Sequence, residues 1–258
     1  LVMCVVVAMA GFAAMGIEIV WVRHVSILLG EFRAVFALLL ATVLLCMGLG
    51  AAAVAAALRR ADGSRAPRVA PYLASSLAFL AASTLACLWV PSAQAVETAM
   101  GNTVGPILLL AGLPSVLMGL TYPLANAAVQ TSGQTVGRVS GLLYLANTCG
   151  GVVGALATGF GLLPRLGMQH SALVLAVIAA AAGFVVALDA RRRTPAHQGA
   201  DRSFPWLMAG SGAVALAALT LWASLPSDAL LLRLLLVPRS RIHALSEAVT
   251  EVIAVTDG

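Results

Sequence analysis

The sequence predicts an all-α polytopic membrane protein, with about seven transmembrane helices in one bundle over 1–224 and a short tail over 225–258. Three observations predict it. Apolar residues make up 61% of the chain and charged residues only 10%, against about 25% charged in a soluble domain. Mean hydropathy is +1.00, an excess that a soluble core cannot hide. The apolar residues also come in runs of about 20, the length that crosses a bilayer. Together these exclude a soluble enzyme, a disordered chain and a secreted disulfide scaffold.

In chain order the runs fall at about 1–22, 34–58, 69–90, 105–128, 139–163, 168–188 and 204–224. The first begins at Leu1 with no basic n-region and no small-residue cleavage site, so it reads as a span and not as a signal peptide. Its start is expected to lie inside a longer chain or at a non-Met start. The loops RRADGSRAPR (59–68), PSAQAVETAMGNTV (91–104) and DARRRTPAHQGADRS (189–203) are short and carry the helix breakers. Little room is left for a soluble domain before residue 225.

All 15 basic residues are arginine, and against 10 acids they give a net charge of +5. They sit at the ends of the apolar runs, where they set topology and do not form a nucleic-acid surface. Arg59, Arg60, Arg65, Arg68, Arg138, Arg191, Arg192, Arg193 and Arg202 share the side of the N-terminus, while the opposite loops hold only Arg23, Arg33 and Arg165. That bias predicts a cytoplasmic N-terminus; the membrane expected is a bacterial inner membrane. Seven spans would then leave the tail outside, yet Arg233, Arg239 and Arg241 pull it towards the cytoplasm. A re-entrant segment, or a span before Leu1, would remove the conflict.

The tail changes character. LPSDALLLRLLLVPRSRIHALSEA reads as an amphipathic interfacial segment, and VTEVIAVTDG as a β-branched strand ending on the turn pair Asp257-Gly258. A lone strand is unstable without its partner. Residues 225–258 are therefore expected to be an interfacial linker and the first strand of a truncated extramembrane domain.

Within the spans a few polar and small residues stand out. Glu18 is the only acid deep in an apolar run. An ionisable group there costs about 2.5–3.5 kcal/mol on insertion scales, so it must reach the headgroups, pair with Arg23, or face a polar cavity. Trp21 reads as an interface anchor and Arg23 as a snorkelling cation. In 113–129, Pro114 and Pro123 flank Gly119 and Tyr122, which predicts a kinked or interrupted span of the kind found at transporter sites and in plain packing. In 141–164, Gly150, Gly154 and Thr158 form one small-residue ridge, and Gly151, Ala155 and Gly159 another. Tyr144 and Asn147 on the same helix need partners, either across helices or from a substrate. The sequence therefore predicts that Glu18 points inward to a polar group from 113–129 or 139–163, or pairs with Arg23 at the rim.

No catalytic residue, metal site or cofactor site is assigned. Cys4, Cys46, Cys87 and Cys149 lie singly in apolar runs and read as small apolar side chains. The GxG triplets at 48–50, 159–161 and 210–212 fall inside apolar helices, and GxGxxG, HExxH, a P-loop and GxSxG are all missing. His24, His170, His197 and His243 are isolated at span ends or in loops. The expected partner is the lipid bilayer, with a membrane-protein partner or a second copy of the chain beside it, and not nucleic acid.

Four stretches taken together resemble a known family. These are GFAAMGIEIVWVRHVSILLG (11–30), an Ala/Gly-rich second span ending LRR, LPSVLMGLTYPL (113–124) and GLLYLANTCGGVVGAL (141–156). Their order resembles the membrane region of spermidine-synthase-like proteins, in which a multi-span bundle is fused to an aminopropyltransferase-type domain. SEAVTEVIAVTDG (246–258) is similar to the opening strand of that domain, with Glu247-Ala248 where the family often has Glu-Gly. The resemblance implies a Rossmann-type pocket for decarboxylated S-adenosylmethionine and acidic residues for the polyamine, none of them at positions within 1–258. Glu18, Trp21, Arg23, Tyr144 and Asn147 match the membrane motifs. The 114–160 region also resembles major facilitator transporters. Three function classes follow: a membrane domain serving an aminopropyltransferase-type domain, a transporter-like bundle that moves a small, cationic solute using Glu18, and a structural subunit of a larger membrane complex.

Overall fold

The computed structural model describes residues 1–29, 33–60, 69–89, 104–129, 136–193, 203–226 and 229–230. Among these, every regular element is helical, as lipid requires of a chain whose backbone groups find no water. Helix α1 spans Val2–Leu29, α2 Arg33–Arg60 and α3 Val69–Leu88. Helix α4 runs Val104–Val129, with a wide π-helical turn at Leu108–Gly112. Helix α5 has two arms, Val136–Leu156 and Leu163–Arg193, joined by a π-helical segment at Ala157–Leu162, and α6 spans Ser203–Ala223.

Six helical runs among the described residues are long and apolar enough to cross a membrane, not the seven expected. The difference lies at one place. The expected spans 139–163 and 168–188 belong to a single 56-residue run, Gly137–Arg192, because helical backbone continues through 164–166, in the gap between them. A straight helix of that length would be about 84 Å long, far more than a bilayer needs. It is not straight. Gly167 takes φ 70° and ψ 179°, a region nearly closed to residues with a Cβ. Gly16 of α1 is met by Thr158 of the π-helical segment and Leu175 of the second arm, so α5 folds back past the same point of α1.

The π-helical turns have a common cause. Each lies just before a proline, Pro114 in α4 and Pro164 in α5. Proline lacks an N–H and its ring strikes the carbonyl four residues back, which is Leu110 in one case and Phe160 in the other. A wider turn at those carbonyls relieves the clash and keeps the helix going. The interruption expected in 113–129 is thus found a few residues earlier.

Helix α3 is the centre, with 78% of its apolar window buried against 22% for α6. It packs on α4, α6 and the second arm of α5, while α1 lies against both arms of α5 and α2 against α4. Glycines set the closest crossings, since helices in lipid gain most from backbone approach. A methyl on Gly150 or Gly154 would strike the carbonyl oxygen of Ala8 or Phe12, so α1 and the first arm of α5 run parallel in matching four-residue steps. Gly50 and Gly119 meet Val116 and Met47 in the same way between α2 and α4.

The end of α6 is tied to the second arm of α5 through Gln169. Its Nε2 donates to the Pro226 carbonyl (2.9 Å), its Oε1 accepts from the Leu230 N–H (3.1 Å), and its carbonyl accepts from Trp222 Nε1 (3.0 Å). The strand expected at 249–256, and most of the expected linker, lie outside the described residues.

Candidate functional site

Glu18 lies on one face of α1 with Gly11, Ala14 and Met15, at the three- and four-residue steps that bring helical side chains together. That face borders a cavity of about 510 Å³. Met118, Thr121 and Tyr122 of α4 form the second wall, and Asn147, Thr148, Gly151 and Ala155 of the first arm of α5 the third. Met47 of α2 and Leu80 of α3 close it. Glycine and alanine at 11, 14, 151 and 155 leave room where larger side chains would fill it.

Most polar groups of this wall are already committed. Thr121 Oγ1 donates to the Leu117 carbonyl (3.1 Å) and Thr148 Oγ1 to the Tyr144 carbonyl (2.9 Å), both within their own helices. Tyr122 Oη donates to the Ser140 carbonyl (2.9 Å), and Ser140 Oγ donates to Asn126 Oδ1 (2.8 Å), which staples α4 to α5 at the rim. The Glu18 carboxylate and the Asn147 carboxamide make no hydrogen bond to another described residue. Both remain available to a ligand. No Arg, His or second acid lines the cavity among the described residues, so Glu18 is its one formal charge.

The structure thus brings Glu18, Tyr122, Asn147 and Gly151 onto one cavity. Tyr144 stands beside it, edge-on to Tyr122 with ring centroids 6.3 Å apart, and is itself exposed. Arg23 is exposed and borders a different cavity, and no ion pair joins it to Glu18. Trp21, expected as an interface anchor, is fully buried against other helices, with no hydrogen-bond partner for Nε1. Gly150 and Gly154 are packing residues as expected, but a methyl on Gly159 would meet nothing within 4 Å. Gly159 lies in the π-helical segment, so the second ridge meets α1 at Gly151 and not at Gly159.

Gly11, Met47, Thr121 and Thr148 complete the wall and were not singled out in the sequence. Gly11 carried a signal, since it precedes Glu18 by two helical turns. Met47 carried none, because which face of α2 meets α4 is set by the Gly50–Gly119 crossing.

Comparison with protein-family models, with curated proteins and with solved structures finds no match for this chain. The site is read from its own geometry.

Proposed function

We propose that this protein is a transporter-like membrane bundle that binds a small organic cation in the Glu18 cavity. The observation that supports the reading is one uncompensated carboxylate and one uncommitted carboxamide on a cavity whose other polar side chains are already hydrogen-bonded, among the described residues. A charge placed at membrane depth is costly unless it faces a counter-charge or water. A cation supplies the counter-charge, Asn147 offers a carbonyl acceptor to its N–H groups, and Met15, Met47 and Met118 are adaptable partners for its methylenes. The volume lies within the range of small-molecule sites, about 300–1,000 Å³. In this reading the chain sits in a bacterial inner membrane with its N-terminus cytoplasmic.

A second reading keeps the resemblance to spermidine-synthase-like membrane regions, with the bundle serving an aminopropyltransferase-type domain. Glu18 and Asn147, which match those membrane motifs, line one cavity, and the substrates of that chemistry are cations. Uptake of labelled putrescine and spermidine into proteoliposomes of the full chain tests the proposal. Saturable uptake that falls about tenfold or more in Glu18→Gln is expected, the scale of one lost charged contact. Equal uptake by wild type and variant would overturn it.

A further inference from the structure

A second and larger cavity, of about 820 Å³, lies past the Glu18 face of α1, where α5 turns back on itself. Arg23 and Ile27 of α1, Gly159 of the π-helical segment and the stretch Leu163–His170 border it, with Leu230 at its edge. Its charges are of one sign. Arg23, Arg165 and His170 contribute basic side chains, and no Asp or Glu of the described residues lines it. Neither arginine has a hydrogen bond or ion pair with a described residue. The wall between them is built and rigid: Gln169 is buried and held through both ends of its carboxamide, and Gly167 fixes the turn that carries Arg165.

The placement is unusual in charge terms. The sequence puts only Arg23, Arg33 and Arg165 on the arginine-poor side, and the fold gathers two of the three into one cleft. Both arginines are exposed and border the same space, where an anion between them is attracted by both charges. A phosphate group matches the planar donor fork of arginine with two parallel hydrogen bonds. The cavity is too large for a bare inorganic ion and fits a phosphate carried on a larger body.

We propose that this cleft is a binding site for a phosphate ester, clamped by Arg23 and Arg165, and carried either by an anionic phospholipid or by a soluble phosphate compound. The inference is independent of the Glu18 reading, since no residue lines both cavities.

The test uses the full chain in a neutral detergent. Thermal stability is measured with phosphatidylglycerol, with glycerol 3-phosphate and with sodium chloride at matched ionic strength. Bound lipid is counted in parallel by native mass spectrometry. Wild type is expected to be stabilised by at least one phosphate ligand beyond the salt control, and R23Q/R165Q to need about tenfold more ligand for the same shift. Stabilisation by the lipid alone identifies a headgroup site, and stabilisation by both identifies a site for soluble phosphate esters. Arg59→Gln with Arg60→Gln removes the same charge in the last turn of α2, outside the cleft, and should leave the response intact. If R23Q/R165Q fails to fold, Arg165→Lys keeps the charge without the fork and should weaken the response. An equal response in the cleft variants and the Arg59/Arg60 variant, or no response of wild type to either ligand, overturns the proposal.

Discussion

Gly11 of α1 and Asn147 of the first arm of α5 lie backbone to backbone. A methyl on Gly11 would strike the Asn147 carbonyl oxygen and stand 2.9 Å from its Oδ1. The contact does two things at once. It lets the helices approach closely, as at Gly150 and Gly154, and it sets the Asn147 carboxamide on the same cavity wall as Glu18, two turns along α1. Packing and site are therefore one feature here, and a change at Gly11 should disturb both. Gly11→Ala is expected to reduce cation binding as well as melting temperature, with both read on the same detergent sample.

Gly154→Leu should destabilise the bundle by about 1–3 kcal/mol, because its side chain would enter the backbone of Phe12. Gly159→Leu should have little effect, since the space around that position is open. Melting curves of the two variants separate the small-residue ridge that packs from the one that does not meet α1 at Gly159.

Gly167→Ala should cost about 1–3 kcal/mol, although nothing crowds the site. The penalty is purely one of backbone conformation, from φ 70° with ψ 179°. Thermal unfolding of the variant checks it. A melting temperature equal to wild type would show that α5 does not turn there.

Gln169→Ala leaves the Leu230 N–H without its partner and takes one of two donors from the Pro226 carbonyl, which keeps the Ala229 N–H. The expected loss is about 1–3 kcal/mol at that junction. Hydrogen exchange should report it as faster exchange of the Leu230 amide, with α1 and α3 unchanged.

The membrane character and most helix boundaries were legible in the sequence, because hydropathy and arginine placement act locally along the chain. The turn within α5 was not. Pro164 and Arg165 look like a loop in one dimension, but the π-helical segment absorbs the proline and hands the reversal to Gly167. Glu18 and Asn147 were legible as polar groups in need of partners. That they share a cavity depends on the parallel run of α1 beside α5, fixed by Ala8–Gly150 and Phe12–Gly154, and no single helix carries that information. The burial of Trp21 was not legible for a related reason. Tryptophan beside arginine at a span end matches an interfacial anchor, but the second arm of α5 packs on α1 as well as the first, and Trp21 lies buried in the core.

The most direct measurement is equilibrium binding of labelled spermidine to the purified full chain, in wild type, Glu18→Gln and Asn147→Ala. Saturable binding by wild type is expected, with about a tenfold or greater loss in Glu18→Gln and a smaller loss in Asn147→Ala, as the order of charged and neutral hydrogen bonds requires. Binding that is absent in wild type, or unchanged by Glu18→Gln, would contradict the account.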